Sequence, residues 1–288
     1  MRKYLKLMRI KHYIKNGLLF VPLIFSKQLL DSNMFLKVLL GFIAFSLIAS
    51  VVYIINDIND VEKDRKHPEK CKRPIAAGEI TVIQAYILSI VLLVISLCIN
   101  YYLIGFKAPE IILILYLILN ILYSKGLKNE PIIDITILML GFLFRVLYGA
   151  GVVDINISNW LYLTVISMSF YLGIGKRRGE LISQGDKTRE VLKKYTYEFL
   201  DKNMYMFLTL SIVFYSLWTI DSITVKNIGE NLIWTIPFVI IICMRYTLNL
   251  EKNEEGLGDP VEVVFKDKII LLLITLFMLM MIGLIYII

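Results

Sequence analysis

Three side chains that carry oxygen atoms recur at four-residue intervals: Asn56, Asp60 and Asp64. On a helix, each four-residue step rotates about 40° past a full turn and rises about 6 Å, so the three side chains form one oblique row. Lys70 and Arg73 follow in the same charged segment. Oxygen ligands beside basic groups suit a hard divalent cation that holds a diphosphate. The alternative is a solvated loop next to a membrane, but such loops are usually basic, and this one also carries several acids.

A second group of polar residues follows the fourth apolar span. Tyr123 and Lys128 lie in the loop, whereas Asp134 and Arg145 fall inside the next apolar span. The last two are separated by about three helical turns. A charge at that depth in a membrane is unfavourable and by default faces a cavity or a partner. Two alternatives remain open: a buried structural ion pair for Arg145, and a loop charge that only sets topology for Lys128.

The third group, Lys176, Arg177 and Glu180, closes the sixth apolar span, and Asp186 lies beyond it. Lys176 and Glu180 are four positions apart and share a helix face. The forked donors of an arginine match the oxygens of a diphosphate. The alternative is that these charges simply end the span.

Nine apolar spans are predicted from hydropathy, in a chain of 288 residues that is 58% hydrophobic and 19% charged. They are residues 16–30, 34–55, 80–103, 108–123, 132–153, 158–175, 203–223, 231–250 and 268–288. The first is short and is expected to be tilted or partly re-entrant. We therefore predict an all-α, polytopic membrane protein, a bundle of nine transmembrane helices without a second soluble domain.

The basic residues predict the orientation of this bundle. The segments before span 1 and after spans 2, 4, 6 and 8 hold most of the lysines and arginines, whereas the opposite side offers only Lys27, Lys37, Lys107 and Lys226. By the positive-inside rule the N-terminus is cytoplasmic and the C-terminus is outside. The charged loops after spans 2, 4 and 6 then all lie at the cytoplasmic face of the cell membrane. The net charge of +7 follows from this distribution and does not indicate nucleic acid as a partner.

The N-terminal arm, residues 1–16, alternates basic and apolar side chains. This pattern predicts an amphipathic helix that lies on anionic headgroups, with simple topogenic charge as the alternative. Lys15 and Asn16 end the arm at the mouth of the first span, where they are candidates for substrate binding.

Other common chemistries are not supported by the sequence. The three cysteines form no close pair and no metal-ligand spacing, so neither a disulfide nor a zinc site is expected. We find no plausible Ser–His–Asp arrangement and no Walker lysine motif. What remains is a charge-balanced pocket for a metal diphosphate at the mouth of an apolar bundle, where a lipid can enter from the bilayer. That arrangement is typical of a transferase.

The chain resembles the UbiA superfamily of intramembrane prenyltransferases, which have nine transmembrane helices, over nearly its whole length. The family's first aspartate motif, N-x-x-x-D-x-x-x-D, is matched by Asn56, Asp60 and Asp64. The resemblance implies one domain over residues 1–288, with cytoplasmic active-site loops at 56–79, 124–131 and 176–202.

Within that superfamily the chain is most similar to the decaprenyl-phosphate phosphoribosyltransferase branch. Residues 56–78 match N-D-x-x-D-x-x-x-D-R-x-H-P-x-K-x-x-R-P-I-A-x-G, and residues 9–16 resemble R-x-x-x-W-x-K-N with Tyr13 at the tryptophan position. The sixth span ends in K-R-x-x-E, where aromatic prenyltransferases carry D-x-x-x-D. Basic residues in place of acids favour substrates with additional phosphate groups.

This resemblance implies transfer of a 5-phosphoribosyl group from phosphoribosyl diphosphate to a polyprenyl phosphate, with release of diphosphate. Asn56, Asp60 and Asp64 would hold Mg²⁺ on the diphosphate of the donor, with Asp60 and Asp64 as the catalytic residues. The implied substrate-binding residues are Lys15, Asn16, Lys70, Arg73, Tyr123, Lys128, Asp134, Arg145, Lys176, Arg177 and Glu180. The sequence leaves open whether Asp57 is a metal ligand or a spacer in the motif. A homo-oligomer is possible.

Two other readings compete with this one. A conventional prenyltransferase would use the same aspartate row but take a prenyl diphosphate and an aromatic quinone or haem precursor. A transporter or flippase would place ionisable residues at the bilayer midplane in interrupted helices on both sides, whereas here the charges gather on one face.

Overall fold

The structure, a computed structural model, describes residues 2–104, 108–184, 189–251 and 260–287. Every regular element in these ranges is helical, which confirms the all-α prediction for the described part of the chain. The first half contains α1 Arg2–Leu7, a 3₁₀ segment Ile10–Phe20, α2 Val21–Phe25, α3 Ser32–Asn59, α4 Val61–Arg65, a 3₁₀ turn Lys70–Lys72, α5 Val82–Ile104, α6 Ala108–Lys125 and a 3₁₀ turn Leu127–Asn129. The second half contains α7 Ile133–Val152, α8 Asn159–Gln184, a 3₁₀ turn Glu190–Lys194, α9 Tyr197–Thr219, α10 Ser222–Ile228, a 3₁₀ segment Glu230–Thr235, α11 Ile236–Glu251, α12 Pro260–Lys266, α13 Lys268–Ile282 and a π-helical end Gly283–Ile287.

Five helical stretches in the described residues are long and apolar enough to cross a membrane, and the bent pair α9–α10 makes a sixth. In α3 and α7 more than half of the apolar window is buried (61% and 67%), but in α5 and α13 only about a fifth is (22% and 17%). Long helices that expose so much apolar surface are typical of membrane spans. The chain is therefore a multi-pass membrane protein, and the count of nine spans stays a prediction.

The N-terminal region differs from the single amphipathic helix expected for the arm. Helix α1 ends at Leu7, and Arg9 adopts a left-handed backbone conformation with φ of 53°, which turns the chain into the 3₁₀ segment. Leu7 is fully buried against α3, so this side of the arm packs into protein, whereas Leu5, Ile10 and Ile14 are exposed. The first predicted span likewise begins in the 3₁₀ segment and continues into α2, which is only five residues long and has Pro22 in its first turn.

The described chain forms two compact units. The first comprises Met1–Lys128 and Phe144–Asn156, and the second comprises Asn129–Leu143 and Ile157–Ile288. In the first unit α3 packs along α5 and α6, and its start is capped by Asp31, whose carboxylate accepts the backbone N–H of Asn33 and of Met34 at 2.9 and 3.0 Å. In the second unit α8 packs along α9.

Gly149 marks the closest backbone approach inside the first unit. A Cβ atom at this position of α7 would lie 2.1 Å from the carbonyl oxygen of Leu19. We expect Gly149→Ala to lower the free energy of unfolding by about 1–3 kcal/mol, because backbone has to shift to relieve the overlap. The measurement is thermal unfolding of the purified protein in detergent.

Gly17 supplies the matched control, since a Cβ atom there would meet nothing within 4 Å. Gly17→Ala should leave the midpoint unchanged or raise it slightly by restricting the unfolded chain. Equal midpoints for the two variants would contradict the close approach at Gly149.

Candidate active site

The four-residue spacing of the aspartate row is present in the backbone of the first unit. Helix α3 ends at Asn59 and α4 begins at Val61, yet the Asp60 N–H donates to the Asn56 carbonyl at 3.0 Å, and the Asp64 N–H donates to the Asp60 carbonyl at 2.8 Å. The i to i−4 bonding therefore continues across the short break, and the row follows from local helical geometry.

Each member of this row contacts a polar group from elsewhere in the unit. Lys128 Nζ lies 3.0 Å from both carboxylate oxygens of Asp60, and Arg73 Nη1 lies 2.6 Å from Asp64 Oδ2. The Ser124 hydroxyl donates to Asn56 Oδ1. The structure thus brings together the predicted metal ligands and two of the predicted phosphate-binding bases.

Asp57 is a buried carboxylate that anchors two guanidinium groups. It is 3% exposed, and its Oδ1 lies 2.5 Å from Arg9 Nη2 and 3.1 Å from Arg73 Nη1. Arg73 therefore bridges Asp57 and Asp64, and Arg9 also lies over the ring of Tyr53, 4.9 Å from its centroid. The sequence left the role of Asp57 open and gave Arg9 no role, although Arg9 begins the R-x-x-x-W-x-K-N resemblance at the end of the basic arm.

Arg145 and Asn16 meet in a second, buried network of the first unit. Arg145 Nε donates to Asn16 Oδ1 at 2.7 Å, and Asn16 Nδ2 donates to the Ser46 hydroxyl at 2.8 Å. The guanidinium carbon lies 5.1 Å from the centroid of Phe45 and 5.3 Å from that of Tyr116. Arg145 is 6% exposed and Asn16 is 1% exposed, so this network fixes the end of the arm against the helices.

The second unit contains a chain of ionic contacts that starts at Asp134. This carboxylate is fully buried, accepts Arg177 Nε at 2.6 Å on Oδ2 and accepts the Tyr195 hydroxyl at 2.6 Å on Oδ1. Arg177, 1% exposed, also donates from Nη1 to Glu180 Oε2 at 2.7 Å. Arg189 Nε reaches the same Glu180 oxygen at 3.3 Å.

Two groups of this network titrate away from their usual range. Burial raises the pKa of Glu180, but the charges of Arg177, Arg189 and Lys176 outweigh burial and lower that pKa overall. Glu180 is therefore ionised at neutral pH. Burial and the hydrogen bond to Asp134 raise the pKa of Tyr195, so its hydroxyl stays a neutral donor. Tyr195 was missed by the sequence reasoning, because a tyrosine in a polar loop carries no distinguishing signal.

The remaining predicted residues that the structure describes are partly exposed, and they are divided between the two units. Lys15, Lys70 and Tyr123 belong to the first unit, and Lys176 belongs to the second. Asp186 falls outside the described residues.

The donor set of the aspartate row fits Mg²⁺ in chemistry. No group of three or more acids, histidines or cysteines that could hold a metal occurs within the described ranges. Mg²⁺, however, is commonly bound by one or two carboxylates together with substrate phosphates and water. Asp60 and Asp64 are neutralised by Lys128 and Arg73, whose side chains are 23% and 29% exposed. Both bases are therefore accessible to an incoming phosphate, and the two carboxylates they contact are the groups that would hold a cation.

Comparison with known proteins places these features in a family. Residues 19–220 match the profile of the UbiA prenyltransferase family. The decaprenyl-phosphate phosphoribosyltransferase of Mycolicibacterium smegmatis is 35% identical over 248 residues, which cover 82% of this chain and 76% of that protein. The enzyme of the same name from Corynebacterium glutamicum is 32% identical over 273 residues, covering 92% and 81%.

Solved structures share the fold over nearly the whole chain. A UbiA homolog from Archaeoglobus fulgidus bound to GPP and Mg²⁺ superposes with a TM-score of 0.72 at 19% identity, covering 98% of this chain and 99% of that one. A digeranylgeranylglyceryl phosphate synthase structure gives a TM-score of 0.67 at 23% identity, covering 99% and 98%. Because the family profile matches most of the chain and the aspartate row and helical membrane fold agree with it, the chain belongs to the UbiA prenyltransferase family.

Proposed function

We propose that this protein transfers a 5-phosphoribosyl group from phosphoribosyl diphosphate to a polyprenyl phosphate and releases diphosphate. The observation that carries the proposal is the 32–35% identity to decaprenyl-phosphate phosphoribosyltransferases over most of both chains. The distribution of charge supports it, because each carboxylate of the aspartate row already contacts a lysine or an arginine. Two phosphate-bearing substrates need more cationic groups than one.

Asp60 and Asp64, with Asn56, are the groups that would hold Mg²⁺ on the donor. Bound there, the ion would neutralise negative charge on the diphosphate leaving group. Arg73 and Lys128 lie on the same carboxylates and are placed to donate to diphosphate oxygens. In the transfer, the bond from C1 of the ribose to the diphosphate oxygen breaks, and a bond from C1 to an oxygen of the lipid phosphate forms.

The acceptor needs no dedicated base. A phosphate monoester is largely ionised at neutral pH, so its oxygen attacks without prior proton removal. The partly exposed Lys15, Tyr123 and Lys176 are the groups proposed to contact the 5-phosphate of the donor and the phosphate of the lipid, whereas the partly exposed Lys70 is proposed to donate with Arg73 to the donor diphosphate.

The buried members of the predicted site have a different proposed part. Asn16, Asp134, Arg145 and Arg177 are each less than a tenth exposed. We propose that they hold neighbouring groups in place, with Arg177 fixing the ionised Glu180.

The wider architecture is proposed from charge distribution and family. It comprises nine membrane spans in one domain over residues 1–288, with a cytoplasmic N-terminus and an external C-terminus. The active site would open to the cytoplasmic face of the cell membrane. The concentration of bases on alternate loops supports this orientation.

The decisive experiment uses purified full-length protein in detergent with Mg²⁺, polyprenyl phosphate and phosphoribosyl diphosphate labelled in the ribose. We expect label in the lipid phase, and we expect EDTA to abolish it and added Mg²⁺ to restore it. The control replaces the donor with a labelled prenyl diphosphate and the acceptor with an aromatic quinone precursor. Product in that control alone, with no labelled lipid across several polyprenyl lengths, would contradict the proposal and favour the conventional prenyltransferase activity.

A further inference from the structure

His67 lies in the turn between the aspartate row and Arg73. Its ring Nδ1 accepts two backbone donors, the N–H of Glu69 at 3.2 Å and the N–H of Lys70 at 3.3 Å. These are the first donors of the 3₁₀ turn Lys70–Lys72, and Glu69, the residue at the cap position, makes no side-chain capping bond. The imidazole therefore does the work that a serine or an aspartate side chain usually does at the start of a helix.

The backbone of His67 ties the same turn at both ends. Its N–H donates to the Asp64 carbonyl at 3.1 Å, and its carbonyl accepts the N–H of Cys71 at 3.2 Å. The turn then leads to Arg73, whose N–H donates to the Lys70 carbonyl at 2.9 Å. One residue thus connects the last member of the aspartate row to the turn that carries two phosphate-binding candidates.

The position of Arg73 depends on this turn. Its guanidinium reaches Asp57 at 3.1 Å and Asp64 at 2.6 Å, two contacts that a displacement of about 1 Å would break. Both hydrogen bonds to His67 are accepted by the lone pair of Nδ1, so the contact depends on an acceptor atom at that position of the side chain.

We propose that His67 is a positioning residue, whose Nδ1 holds the 69–73 turn so that Lys70 and Arg73 face the donor diphosphate. This inference rests on the proposed function for the identity of the donor. The proposal requires a hydrogen-bond acceptor at the position of Nδ1, and substitutions that place an acceptor at different positions can test this requirement. An asparagine places its amide oxygen close to the position of Nδ1, whereas a glutamine places it close to that of Nε2.

The kinetic experiment compares His67→Asn, His67→Gln and His67→Ala in the phosphoribosyl transfer assay. We expect His67→Gln and His67→Ala to raise the KM for phosphoribosyl diphosphate about tenfold, equivalent to about 1.4 kcal/mol. The asparagine variant should stay within about twofold of the unsubstituted protein, and the KM for polyprenyl phosphate should not change in any of them. Equal KM values for the asparagine and glutamine variants would overturn the proposal.

A second readout does not depend on activity. Cys71 lies in the same turn, with its thiol donating to the Pro68 carbonyl at 3.3 Å. In a protein whose other two cysteines, Cys98 and Cys243, are replaced by alanine, we expect a thiol reagent to label Cys71 about five to ten times faster in the glutamine and alanine variants, but not in the asparagine variant. Equal labelling rates overturn the inference even where transfer is normal. If the unsubstituted protein shows no phosphoribosyl transfer but Cys71 is labelled in the expected pattern, the proposed function is contradicted while the role of His67 in the turn is supported.

Discussion

Asp64→Asn is expected to lower the rate of phosphoribosyl transfer by about 100- to 1,000-fold while the protein still inserts and folds. The carboxylate is buried within the first unit, with its residue 3% exposed, and its Oδ2 lies 2.6 Å from Arg73. An amide keeps the shape but removes the charge that both a divalent cation and Arg73 require. Losing metal-assisted stabilisation of the leaving group costs several kcal/mol, which sets the size of the effect. The measurement is the initial rate at saturating Mg²⁺ with both substrates.

Glu62→Gln is the matched control for this substitution. It removes one carboxylate charge in the same short helix, but Glu62 is 73% exposed and pairs only with the exposed Arg65 among the contacts described. Its rate should stay within about twofold of the unsubstituted protein, as expected for an exposed pair. Asp60→Asn, at a more accessible position of the row, tests the same idea where Asp64→Asn fails to accumulate. Near-normal rates for both aspartate variants would contradict a role of the aspartate row in the transfer reaction.

The aspartate row could be predicted from the sequence because it is a local property. A four-residue interval on a helix fixes the relation of Asn56, Asp60 and Asp64, whatever the rest of the chain does. The long apolar helices could be predicted for a similar reason, since hydropathy over about 20 residues is sufficient to identify them.

The partners of these residues could not be predicted in the same way. Arg9 and Asp57 are separated by 48 positions, and Tyr195 and Asp134 by 61, so their contacts depend on tertiary packing. The basic arm illustrates the difference: its pattern favours a surface helix, but the left-handed backbone of Arg9 redirects the chain and brings its guanidinium to Asp57. No periodicity in the sequence encodes that turn.

Substitution of Asp134 or Arg177 is expected to have the second large effect, a loss of stability of the fold. Their ion pair is 2.6 Å long and almost completely buried, with side-chain exposures of 0% and 1%. Removing Arg177 takes away the arginine contact of the fully buried Asp134 carboxylate, and removing Asp134 takes away one of the two carboxylates that the buried Arg177 guanidinium contacts. Asp134→Leu and Arg177→Met are therefore each expected to lower the free energy of unfolding by about 3–5 kcal/mol. The measurement is thermal or denaturant unfolding in detergent.

An exposed ion pair in the same unit gives the control. Lys194 and Glu130 lie 3.4 Å apart with side-chain exposures of 48% and 54%, so Lys194→Met should cost less than about 1 kcal/mol. A loss at Arg177→Met no greater than at Lys194→Met would show that the buried charge is relieved by solvent or by rearrangement.

The double variant Asp134→Leu/Arg177→Met separates stability from function. It removes both charges together, so we expect it to be more stable than either single variant, by about 1–4 kcal/mol, because apolar side chains often replace a buried ion pair without loss. Arg177 also holds Glu180 at 2.7 Å, and the double variant removes that contact while keeping the one from Arg189 at 3.3 Å. If transfer falls while stability recovers, the pair is present to fix the ionised Glu180 for the reaction rather than to stabilise the fold. A double variant as unstable as the sum of the single ones would instead mean that the two residues act independently, despite their short contact.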